Sequence, residues 1–357
     1  MASSVMATPL PAVPLGRTGM DITRVGFGAW AIGGAGWRFA WGEQDDDASV
    51  AAIRRAVEAG VNWVDTAAVY GLGHSEEIVR AALAPYPEAD RPYIFTKCGI
   101  VWDEANPTAA PLRIGDPASL RREVDASLRR LGVERIDLYQ MHRPAEDGTP
   151  LEEYWSTLLA LKAAGKVRAV GLSNHDAAQL AEASKVGPVD TLQPPFSAIH
   201  RETAGELAWC AAHGTGVIVY SPMQAGLLTG AFTEQRAASL PAGDWRRSHP
   251  DFTGENLRRN LALADALRPL AGRYGVPVGA VAVAWTLAWP GVTGAIVGAR
   301  SASQVDGWLP AATLTLTDAD IDEVAAAITA SGAGAGPVRP PRLDPRTGPG
   351  DTSAQDT

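Results

Sequence analysis

Cysteine is scarce in this chain, with two residues, Cys98 and Cys210, among 357. That excludes a disulfide framework and a cysteine-rich metal cluster, and it suits a reducing compartment. Histidine is also sparse. The six present show no H-x-H or HExxH spacing, which argues against a metal-dependent hydrolase. Positive charge is in deficit, with 31 Lys+Arg against 40 Asp+Glu and a formal net charge of -9. Such a chain repels phosphate backbones, so no nucleic-acid partner is expected. The one dense basic group, Arg121, Arg122, Arg129 and Arg130, shares a predicted helix with Glu123 and Asp125 and reads as a solvated face. Apolar runs long enough to span a bilayer are missing. Residues 1–13 lack the basic start and apolar core of a secretion signal. The expectation is a cytoplasmic protein without membrane, metal or evident protein partner.

What is present is enough apolar material for a large core, 46% hydrophobic against 20% charged. Short apolar runs at 25–28, 61–64, 93–96, 136–141, 167–172, 191–193, 216–220 and 295–297 alternate with helical patterns. Several runs are continuous, as in parallel strands covered on both faces. Helices are expected at 47–59, 75–83, 117–131, 151–164, 176–184, 202–212, 254–274 and 301–308, with extra ones at 277–288 and 318–330. Asp116 and Pro117 provide an N-cap and first-turn proline for the third, and Gly132 stops it. Eight strands in this alternation predict an α/β (β/α)8 TIM barrel with extra helices over residues 14–330. A doubly wound open sheet is the competing architecture. Residues 15–23 suggest an N-terminal β-hairpin before the barrel. Residues 1–13 and the Gly-, Pro- and Asp-rich tail 331–357 read as disordered.

Gly26, Gly28 and Ala31 match the dinucleotide fingerprint G-x-G-x-x-[GA]. The context rejects the match. Gly33, Gly34, Gly36 and two tryptophans follow, so no helix can start where a pyrophosphate would need one.

Four polar residues fall at or just after strand ends: Asp65 in NWVD, Tyr70 in TAAVYG, Lys97 in IFTK and His142 in LYQMH. Each alone has an ordinary structural reading; gathered at strand ends they mark the catalytic face of a barrel. Carbonyl reduction needs a hydride donor and an acid for the developing alkoxide. A lysine ammonium about 4 Å from a tyrosine favours phenolate by roughly 4 kcal/mol before burial opposes it. Lys97 could thus bring Tyr70 into range, with Asp65 holding Lys97 and His142 meeting the carbonyl oxygen.

The stretches NWVDTAAVYGLGHSEEIV, IFTKCG, LYQMHRP, VGLSNH, YSPMQAGLLTG and IVGARSASQV, in this order, resemble the aldo-keto reductase superfamily. The resemblance implies NAD(P)H-dependent interconversion of aldehydes or ketones with alcohols. It implies Asp65, Tyr70, Lys97 and His142 as the catalytic tetrad, with Tyr70 as general acid. It places Ser173, Asn174 and Gln193 at the nicotinamide carboxamide and Tyr220 under the ring. Ser221, Pro222, Gly226 and Leu228 follow along the pyrophosphate, and Gly298, Arg300 and Gln304 meet the adenosine phosphate. Arg300 can grip a 2′-phosphate bidentately, which favours NADPH over NADH. Ser301 and Gln304 also have capping-box spacing, so Gln304 has a structural reading as well. Trp308 stands where the family usually carries an asparagine near the adenine, which leaves NADH open.

Trp30, Trp37 and Trp102, with Trp41 and Trp245 nearby, are expected to line a mouth suited to apolar or aromatic carbonyl compounds. The loops 32–43, 99–115 and 230–253 would shape it. The alternative to a reductase is a nicotinamide-nucleotide-sensing accessory protein with little catalysis, like potassium-channel beta subunits.

Overall fold

The computed structural model describes residues 10–342 apart from residue 242. Eight parallel strands close into one barrel: β1 Val25–Gly28, β2 Trp63–Asp65, β3 Tyr93–Cys98, β4 Ile136–Met141, β5 Val167–Ser173, β6 Thr191–Gln193, β7 Gly216–Val219 and β8 Gly294–Gly298. Each pairs with its sequence neighbours, and β8 returns to β1 with Gly298 beside Gly28. The closed ring excludes the open-sheet alternative. It also removes every exposed strand edge from the main sheet.

Alternation along each strand sorts the side chains into two cores. Trp63, Phe95, Leu138, Ala169, Ile218 and Ile296 point into the barrel and form one cluster. The hairpin Ala12–Pro14/Asp21–Thr23 closes the amino-terminal end, and Leu15, Met20 and Ile22 plug that same cluster. Outward residues such as Val64, Tyr139, Met141, Val170 and Leu172 pack beneath the helical ring. Gly26 has its own packing reason here. A Cβ at that position would lie 2.1 Å from Trp63 Cε2, inside the indole that fills the barrel floor. The fingerprint-like glycine therefore makes room for a tryptophan.

Helix signals in the sequence act as expected at several ends. Asp116 accepts from the Ser119 amide at 2.7 Å, Pro117 occupies the first turn, and Gly132 ends the helix Pro117–Leu131 at φ 66°. Asp45 caps Asp46–Glu58 through the Ala48 amide. The helix expected over 254–274 is broken instead into Gly254–Ala266 and Arg268–Tyr274. Pro269 lies in the first turn of the second piece. A proline has no amide hydrogen to continue the ladder, so the chain restarts there.

The expected disorder at both ends extends too far inward. Residues 12–14 are already strand, and the last helix, Asp318–Ser331, leads into an ordered segment. Ala333 is buried, its carbonyl accepts from the Arg201 guanidinium, and the Ala335 carbonyl accepts from the Arg201 amide at 3.1 Å. A low-hydrophobicity segment is held here by backbone hydrogen bonds to a buried arginine, which composition does not register. For residues 1–9 and 343–357 the expected disorder lies outside the described residues. Among the described residues, no helix is long and apolar enough to cross a membrane.

Candidate active site

The inward-facing residues change character at the carboxyl ends of the strands. One step of two residues beyond the apolar floor takes Trp63 to Asp65, Phe95 to Lys97, Leu138 to Gln140 and then His142, and Ala169 to Gly171 and then Ser173. A polar layer therefore sits directly on the tryptophan floor, at the end of the barrel where function is carried.

Lys97 and Asp65 form a buried pair at 2.5 Å, with Lys97 1% and Asp65 2% exposed. Lys97 also donates to the Thr66 carbonyl at 2.8 Å, and Asp65 accepts from Gln193 Nε2 at 2.8 Å. Burial lifts the Asp65 carboxyl and depresses the Lys97 ammonium; in each case the partner's charge opposes the shift. The hydrogen bonds around the pair add to that opposition.

Tyr70 stands on the short turn after β2, enclosed by aromatic rings. Its centroid lies 6.4 Å from Trp30, 6.3 Å from Trp37 and 5.7 Å from His142, the last edge-on at 80°. The Lys97 ammonium lies over the Tyr70 ring, 5.2 Å from its centroid. This corrects the expected effect of Lys97. The Tyr70 phenol is pushed well above its ordinary range, first by burial and then by the Asp65 charge, and the cation that draws it down is Arg143. Lys97 sends its donors to Asp65 and Thr66 instead. His142 is held far below the usual imidazole range by burial, then by the charges of Lys97, Arg143 and Arg113. It is a neutral ring at physiological pH.

A cavity of about 1000 Å³ runs from this cluster across the barrel mouth. Asp65, Tyr70 and His142 line one end. Ser173, Asn174, Gln193, Tyr220, Ser221 and Pro222 line the middle, and Gly226, Gly298, Arg300 and Gln304 lie beyond. Asn174 and Ser221 have positive φ, 60° and 57°, so their backbones are held in a conformation that costs energy and recurs at functional sites. Asn174 donates to the His142 carbonyl at 2.9 Å and accepts from the Tyr220 hydroxyl at 2.7 Å. Ser173 Oγ donates to the Gln193 carbonyl at 2.8 Å. Gly226, at φ 105°, requires glycine for its backbone, and a Cβ there would meet no protein atom nearer than 3.8 Å. Its missing side chain opens toward the cavity rather than relieving a clash.

Two expected contacts fall elsewhere. Leu228 is fully buried and belongs to the core beneath the helices, because the tight turns after Gly226 rotate it inward. Trp102 packs on the cluster of Trp37, Ala40, Ala67, Val69 and Ile100 and does not line the cavity. The ribbon Ile100–Val101/Leu112–Arg113 presents Ile100, Pro111 and Arg113 there instead. Trp30 and Trp37 do line the cavity. Ser301 makes no side-chain cap, and Gln304 Oε1 accepts from the Arg300 amide at 2.8 Å, so the capping-box reading fails.

Several lining residues were missed: Gln44, Arg143, Arg236 and Arg246. Gln140 lies just below and accepts from Gln193 Nε2 at 3.3 Å. The two-residue period back from His142 would have found Gln140. Arg143 adjoins His142 in the chain. Gln44, Arg236 and Arg246 come from long loops whose course no local pattern sets.

Residues 24–329 match the aldo/keto reductase family. The chain is 36% identical over 320 residues to an NADH-specific methylglyoxal reductase of Escherichia coli (strain K12), covering 86% of this chain and 95% of that protein. It is 35% identical over 299 residues to aldo-keto reductase YhdN of Bacillus subtilis (strain 168), covering 82% and 87%. The solved glycerol dehydrogenase AKR11B4 from Gluconobacter oxydans superposes with a TM-score of 0.79 at 37% identity, covering 97% of this chain and 99% of that one. The chain belongs to the aldo/keto reductase family, and its fold is the (β/α)8 barrel of that family. Its activity is that of an oxidoreductase exchanging carbonyls and alcohols, and a purely sensing role is not favoured.

Proposed function

We propose that the long cavity binds NADPH, with NADH accepted less well, and that the protein reduces aldehydes or ketones with Tyr70 as general acid. The observation that carries this reading is the juxtaposition of Tyr70, neutral His142 and the Lys97–Asp65 pair at one end of a cavity whose far end holds a helix start and Arg300. Residues Ser173, Asn174 and Gln193 would hold the carboxamide, with Tyr220 against the ring. The open backbone at Gly226 and the Gly298–Ser301 turn would admit the phosphates. Bound there, the reduced nicotinamide supplies the hydride. His142, uncharged, donates to the carbonyl oxygen and orients it. Tyr70 keeps its proton at neutral pH because burial raises it, and gives it up to an alkoxide, a stronger base than phenolate. Arg143 then offsets the phenolate charge.

The NADPH preference rests on the acceptors that Arg300 now uses. Its guanidinium donates to Gln44 Oε1 at 2.6 Å and to the carbonyls of Trp41 and Glu43. All three are neutral. A 2′-phosphate exchanges them for charge-assisted bonds about twice as strong. Arg236 adds positive potential there, while the charge of Arg246 is paired with Asp244. We expect Arg300→Ala to weaken NADPH binding about tenfold or more, and NADH binding less than about threefold. Titration of intrinsic fluorescence with each cofactor reads both. Equal losses would remove Arg300 from phosphate recognition. The proposed activity itself is tested by NADPH oxidation with an activated aromatic aldehyde. Absence of turnover with tightly bound cofactor would overturn it.

A further inference from the structure

Two arginines line the reacting end of the cavity, and only one is paired with a carboxylate. Arg113 is paired with Glu146. Arg143, half-buried and next in sequence to His142, has no carboxylate partner among the described residues. The nearest acid in the cluster, Asp65, is already committed to Lys97 and Gln193. The charge of Arg143 reaches Tyr70, His142 and Tyr220, the three rings around the reacting position. Trp30, Trp37, Ile100 and Pro111 line the same cavity. A half-buried guanidinium whose partner is the neutral Tyr220 hydroxyl keeps a charge that an anion can meet.

We propose that Arg143 binds an anionic group, carboxylate or phosphate, that the carbonyl substrate carries a few bonds from its carbonyl. This rests on the reductase reading above. The charges acting on Arg300 are those of Arg246, Asp244 and Arg236, whereas the charge of Arg143 acts on the reacting rings, so Arg143 stands apart from the arginines assigned to the cofactor's phosphates. The planar fork of Arg143 suits two-point capture of a carboxylate or phosphate. The neighbouring ring of His142 then meets the carbonyl oxygen. Substrates would be small oxo acids, semialdehydes or phosphorylated aldehydes and ketones, with the apolar walls covering the carbon chain.

The test uses matched pairs at saturating NADPH: succinic semialdehyde against butanal, and glyceraldehyde 3-phosphate against glyceraldehyde. Wild type is expected to favour the anionic member of one pair by about tenfold or more in kcat/KM, as for a hydrogen-bonded charge. The favoured pair tells carboxylate from phosphate. In Arg143→Met turnover of both members falls, because Arg143 also draws down the Tyr70 phenol, but the ratio between them collapses toward one, and Arg143→Lys restores part of it. A second readout is thermal: 4-hydroxybutanoate, or glycerol 3-phosphate if the phosphate pair is favoured, raises the melting point of the wild-type NADPH complex and not that of Arg143→Met. Turnover of both members at equal efficiency overturns this inference alone, as does a preference that survives Arg143→Met. No turnover of any of the four overturns the reductase reading and this inference with it.

Discussion

Replacing Tyr70 by phenylalanine is expected to lower carbonyl reduction by about 10²–10⁴-fold, the range for loss of a positioned general acid. The change removes one oxygen and keeps the ring. The ring is what Trp30, Trp37 and His142 pack against and what the Lys97 ammonium covers. The pocket should therefore keep its shape, and cofactor affinity should stay within about twofold, since no cofactor contact is assigned to that oxygen. The loss should appear in kcat and kcat/KM alike, because proton donation matters in the transition state and little before it. Steady-state kinetics beside a fluorescence titration separates the two effects. A variant retaining more than about a tenth of wild-type turnover would mean that the proton comes from another group.

The second large effect is on stability. Lys97→Met strands Asp65 in the barrel with only its Gln193 hydrogen bond. Breaking a buried ion pair from one side costs about 3–5 kcal/mol. For a chain of this size that lowers the melting temperature by roughly 5–10 °C. Activity should fall as well, since the Asp65 charge that raises the Tyr70 phenol is then no longer opposed by its partner. The double variant Asp65→Asn/Lys97→Met removes the stranded charge and should recover part of the lost stability. Thermal denaturation of the two singles and the double measures the coupling. A Lys97→Met protein as stable as wild type would show that the pair contributes function without supporting the fold.

The barrel was legible because its signals are local. Six of the eight apolar runs end in or lead directly into a polar residue, and the spacing between the runs leaves room for one helix each. Asp65, Lys97 and His142 could be picked out because each continues the inward face of a strand whose earlier residues are Trp63, Phe95 and Leu138. Tyr70 was found from the turn after Asp65. What the sequence concealed depends on contacts between distant segments. The distance from Lys97 to the Tyr70 hydroxyl is one case: Lys97 turns toward Thr66 and Asp65, so burial dominates the phenol. The roof over the cavity is another. Trp245, from the loop after β7, stacks on Trp30, from the loop after β1, with ring centroids 5.4 Å apart. Arg246 lies 4.6 Å from the Trp41 ring and is held by Asp244. No periodicity relates those residues, and only the folded barrel brings the two loops together. Leu228 and Trp102 failed for the same reason, since turn geometry decides which way a loop side chain faces.

The central claim is that this protein moves a hydride from a nicotinamide to a carbonyl carbon. It is tested most directly with NADPH carrying deuterium at one or the other C4 position, incubated with 4-nitrobenzaldehyde and followed by mass spectrometry of the alcohol. A ring fixed against Tyr220 presents a single face, so one labelled epimer should deliver a deuterium to the benzylic carbon and the other none. An alcohol product without deuterium from either epimer would contradict the account.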